Sequence, residues 1–71
     1  MKGLTQTTRL DVASDTIMYV GKATVGSSPS EPVWRIFRIT STAAGSMTIE
    51  YVSGEANYNN VWDDRASYNY S

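Results

Sequence analysis

Residues 31–52, EPVWRIFRITSTAAGSMTIEYV, decide the fold. Alternation over 33–40 places Val33, Arg35, Phe37 and Ile39 on one side of an extended chain and Trp34, Ile36, Arg38 and Thr40 on the other. β-Branched and aromatic residues dominate the run, which favours a strand, and apolar residues on both sides mark a central or sandwiched strand. STAAG, 41–45, supplies a turn, and SMTIEYV, 46–52, alternates as a second strand. The spacing predicts a hairpin in which Met47, Ile49 and Tyr51 face the core while Thr48 and Glu50 face out. An unpaired buried guanidinium would cost several kcal/mol, so Arg35 and Arg38 each need water, a carboxylate or another subunit. Glu50 stands within cross-strand reach. One arginine is expected to pair with it, and the other to meet a neighbouring chain.

Moving outward, Asp15–Val25 reads as a strand with Ile17, Tyr19, Ala23 and Val25 on one face and Met18, Val20 and Lys22 on the other. Gly21 interrupts it, the mark of a bulge or of a close backbone approach. Residues 1–12 have low apolar content and are expected to form an edge strand or an N-terminal arm. Residues 26–32, GSSPSEP, form the longest loop. In the tail, a turn at Gly54 leads to an asparagine-rich loop, a helical turn over 61–66 with Asp63 and Asp64 near its positive end, and a last short strand over 66–70. No ten-residue stretch has helical periodicity. The expected fold is therefore all-β, one domain over 1–71, a small antiparallel sandwich or partly open barrel of about five short strands.

A chain of 71 residues buries only about 60% of the surface exposed on unfolding. Small folds make up the deficit with disulfides, metals or association. There is no cysteine and no histidine, which removes disulfides and disfavours zinc; association remains. Six basic residues against seven acidic ones lack the excess that phosphate neutralisation requires, so no nucleic-acid partner is expected. No apolar run reaches the length of a signal peptide or a bilayer span, and no membrane partner is expected.

Chemistry-bearing clusters are sparse. Serines have no histidine to activate them and there is no cysteine nucleophile, so the chain is not expected to be an enzyme. Asp63 and Asp64 are sequence neighbours whose side chains diverge in a strand or a helix, which suits a cap better than an acid–base pair. Glu55, Asn57, Asn59, Asp63 and Asp64 are oxygen donors without the spacing of a calcium loop; neither a metal nor a cofactor is expected. Trp34, Phe37 and Tyr51 are expected to fill the core. The remaining aromatics suit an interface, where tyrosine and tryptophan are enriched, or a platform for stacking sugars. The candidate interface set is Arg35, Arg38, Phe37, Tyr58, Trp62, Tyr68 and Tyr70.

Three fragments in order, MYVGKATVGS, VWRIFRIT and NNVWDDRASYNYS, resemble a group of short β-rich proteins encoded among the structural genes of tailed bacteriophages. The likeness covers under half of the chain. In that group the second block commonly reads tryptophan, basic, apolar, basic, basic, apolar, and the last keeps a V-W-D-D/N-R-A-S core. Phe37 stands here where a basic residue is frequent, giving that face a stickier surface. The resemblance implies a virion component assembled in the host cytoplasm, present in several copies or as a homo-oligomer and bound to other virion proteins. The expected function is non-enzymatic docking on a larger tail, fibre or neck protein. The alternatives are a capsid decoration protein and a small carbohydrate-binding module.

Overall fold

Four strands follow one another as an antiparallel meander in the computed structural model, which describes residues 5–71. They are β1 (Gln6–Val12), β2 (Ile17–Thr24), β3 (Pro32–Ser41) and β4 (Met47–Tyr51), and neighbours in sequence are neighbours in the sheet. A short fifth strand, β5 (Asn60–Val61), pairs with the start of β3, and a 3-10 helix, Trp62–Ser67, follows at once. The fold is all-β with five strands in an open sheet. β1 is the edge strand expected within 1–12, of which residues 1–4 lie outside the described residues.

The β3–β4 hairpin forms where the sequence predicts it. Its turn is closed by Thr42 N–H donating to Ser46 O at 2.9 Å and Gly45 N–H donating to Thr42 O at 3.0 Å. Gly45 sits at φ +90°, a region where a side chain would clash and glycine does not. In the 26–32 loop, Trp34 Nε1 donates to Ser28 O at 2.9 Å, so the buried indole N–H finds a partner.

Register and strand alternation assign two faces. The covered face carries Tyr19, Gly21 and Ala23 of β2, Trp34, Ile36 and Arg38 of β3, and Glu50 of β4, with Arg9 and Asp11 of β1 at its side. No second sheet covers it. The lid is the C-terminal segment: Trp62 packs on Trp34 with ring centroids 6.1 Å apart, and Tyr70 on Tyr19 at 5.7 Å. Tyr19, Ala23, Trp34, Ile36, Val52 and Trp62 form the buried cluster. Arg65 fastens the 3-10 helix to β1 through Asp11 at 2.9 Å. The chain end is then pinned to β4, with Tyr51 and Ser71 exchanging two backbone hydrogen bonds at 3.1 and 3.0 Å.

Four expectations need correction. Met47 and Ile49 do not face the core; they are 72% and 56% exposed, and Glu50 lies on the covered side instead. Phe37 and Tyr51 pack on each other at 5.3 Å on the open face rather than in the core. Both reversals have one cause, which is that the aromatic tail settles on the side of Trp34 and Ile36. Residues 66–70 form no strand: the 3-10 helix runs to Ser67, and only Tyr70 bridges to Val52. Gly21 is neither a bulge nor a close approach of backbone: the register runs unbroken through it to Arg9 and Ile36, and the space above it is taken by the indole side chain of Trp62.

Candidate functional site

The open face is built from two complete cross-strand rungs. Leu10, Val20, Phe37 and Tyr51 stand side by side on β1, β2, β3 and β4, and Val12, Met18, Ile39 and Ile49 form the next rung. Eight neighbouring side chains are thus apolar or aromatic on the side opposite Trp62 and Tyr70. Val20, flanked by Leu10 and Phe37, is buried, but Leu10 and Val12 are 63% and 72% exposed. Together with Met47 and Ile49 they account for four of the six large exposed hydrophobics among the described residues. Single exposed apolar residues are ordinary; a contiguous sheet face of them marks an interaction surface.

Both ends of this face are polar. At one end Lys22 lies directly opposite Arg35, a pair of like charges that repel across the ladder. Arg35 Nε is buried and has no hydrogen-bond partner among the described residues. Its guanidinium lies 5.3 Å from the Tyr58 ring centroid and 6.0 Å from that of Tyr51, contacts that offset part of the desolvation. Gln6 Nε2 donates to Tyr58 Oη at 3.1 Å, which holds the Tyr58 loop over this end. At the opposite end the β1–β2 turn, Ser14–Thr16, borders a depression of about 210 Å³ together with Val12, Met18, Ile39 and Met47. That volume is below the few hundred Å³ of small-molecule pockets and suits one or two inserted side chains.

The seven candidate residues divide between the two faces. Arg35, Phe37 and Tyr58 gather on the open one. Arg38 lies on the covered face and donates to Glu50 at 2.6 Å, its guanidinium 4.9 Å from the Tyr70 ring. Trp62 is buried in the cluster. Tyr68 Oη accepts from Val61 N–H at 2.9 Å, and Tyr70 Oη donates to Arg65 O at 2.7 Å. Burial raises the Tyr70 phenol well above the ordinary tyrosine range, the Tyr19 phenol adds to the rise, and Arg38 opposes it. With Trp62, Tyr68 and Tyr70 engaged in covering the sheet, a sugar-stacking platform would be reduced to Tyr58 alone.

Leu10, Val12, Met18, Met47 and Ile49 were not singled out by the sequence for this surface. Their signal was present in the alternation, but its sign depends on which face the tail covers. Among the described residues no group of three or more Asp or Glu side chains could hold a metal ion, and no helix is long and apolar enough to cross a membrane. Compared with family models, with curated proteins and with solved structures, the chain matches none.

Proposed function

We propose that this protein is a non-enzymatic structural component of a tailed-phage virion, a small β module that other subunits complete and that docks on a larger tail, fibre or neck protein. The observation that carries the structural part is the two-rung apolar face, which a chain working alone would leave in water. The phage assignment draws on the resemblance of the three sequence fragments. Arg35, Phe37 and Tyr58 supply the arginine and aromatic character expected of a docking surface, whose core favours such anchors. Quantitative mass spectrometry of purified particles from the encoding phage tests the reading. The chain should band with intact virions at a few dozen copies or fewer. Hundreds of copies would move it to the capsid as a decoration protein, and its absence from particles while abundant in the lysate would overturn the structural role.

A further inference from the structure

We propose that the open face is completed by a second copy of this chain, packed face to face about a two-fold axis that runs across the strands. Each β2 then lies over the β2 of the other copy with its direction reversed. This rests on the reading of the open face as one that another subunit completes, and names that subunit as a second copy, so that the dimer is the unit that joins a particle. A two-fold interface must be self-complementary, and the two rungs meet that condition. Their midpoint is level with residue 19, halfway between Met18 and Val20 in the register. Rotation there places each rung over the other rung of the second copy, forming a two-sheet core about 10 Å thick.

Charge selects this axis over the alternative. The rotation that exchanges the rungs also carries Lys22, three positions beyond the midpoint, to the level of Thr16 in the other copy. Lys22 and Arg35 of each copy therefore lie over the Asp15 end of its mate. Their alkyl stems fit the depression beside Met47, where a long basic side chain can bury its methylenes while its charge reaches a carboxylate. Arg35, whose Nε lacks a partner among the described residues, gains an acidic neighbour. A two-fold axis along the strands, midway between β2 and β3, would instead set Lys22 over Arg35 of the mate and Arg35 over its Lys22, four like charges together. Four strands and the flanks of two rungs give a footprint of roughly 400 Å² per copy. The total, about 800 Å², is below the size of a standard stable interface and belongs to a weak, transient association.

Sedimentation equilibrium of the full chain, from roughly micromolar to near-millimolar concentration, should show a monomer–dimer equilibrium. Ile49→Glu should raise the dissociation constant at least ~10-fold with an unchanged circular dichroism spectrum, because one buried charge costs more than one factor of ten. Should that variant fail to fold, Leu10→Glu on the opposite edge makes the same measurement. Lys22→Glu and Asp15→Lys should each weaken the dimer, and the double variant should recover to within ~3-fold of the parent, the coupling expected of groups in contact. A chain that stays monomeric at the highest concentration overturns the proposal. So does a dimer indifferent to Ile49→Glu and Leu10→Glu, which would be paired along the β1 edge, or a double variant that shows no recovery.

Discussion

At Gly21 a hydrogen stands where any other residue would put a carbon into an indole. A Cβ built there comes 2.5 Å from Trp62 Cε3, 2.7 Å from its Cζ3 and 3.2 Å from Trp34 Cε3. Neither ring can swing aside, since both are buried in the cluster. Gly21→Ala should therefore destabilise the fold by about 1–3 kcal/mol, the usual range for overpacking a core, read as a lower urea midpoint. An unchanged midpoint would mean that Trp62 is not seated on β2. That something special happens at Gly21 was legible, because a glycine inside a strand pattern signals a bulge or a close backbone approach; that a side chain does the intruding was not, since Trp62 lies 41 positions away in sequence. The arginines were legible to a similar degree. Glu50 invited one of them, and register makes it Arg38, directly opposite.

The 3-10 helix and the segment after it act as the second layer of a sheet that lacks a partner sheet. Trp62 is its anchor, fixed above Gly21 and beside Trp34, with the Arg65 guanidinium 4.6 Å from its ring. Trp62→Ala should cost about 3–5 kcal/mol, comparable with the whole stability of so short a chain, at about 0.05–0.15 kcal/mol per residue. Thermal unfolding followed by far-ultraviolet circular dichroism should then show a broad transition or none at all; a cooperative melt near the parent's would show that the tail is dispensable. The strands were readable because alternation is a local property of consecutive residues. Which face of β4 would be inside was not. Met47, Ile49 and Tyr51 form the more apolar row, and the tail nevertheless covers the row holding Glu50, where Arg38 neutralises the carboxylate. The asparagine-rich loop of the tail has no period, and the alternation over 66–70 forms no strand, so the docking side could not be read from spacing.

Taken whole, the molecule is a sheet with one dry side and one apolar side in water, and its response to alkali follows from the dry side. Tyr70 has its phenol raised by burial, so in strong base the folded chain keeps a proton that the unfolded chain loses. That contribution is fully present below the unfolded tyrosine value of about 10 and disappears as pH climbs above it. Melting temperature should hold through mild alkali and fall beyond about pH 10. Tyr70→Phe should start lower, having lost its hydrogen bond to Arg65 O, and decline less steeply. Equal slopes for parent and variant would place the alkaline sensitivity in another tyrosine. At this scale the sequence conveyed the deficit of core and the absence of disulfides, since those depend only on length and composition. The uncovered side depended on where nineteen residues of irregular tail came to rest, positions 53–71.

The pairing of Trp34 with Trp62 makes the chain its own optical instrument. These are the only two tryptophans in the sequence, both buried, and with ring centroids 6.1 Å apart their excited states interact. A bisignate band in the ultraviolet circular dichroism should therefore appear when the tail lies on the sheet and vanish when it lifts. Neither indole touches the face holding Phe37 and Ile49. Emission colour and that band should thus report closure of the tail while remaining blind to whatever binds on the far side, so that the two events can be watched separately in one cuvette.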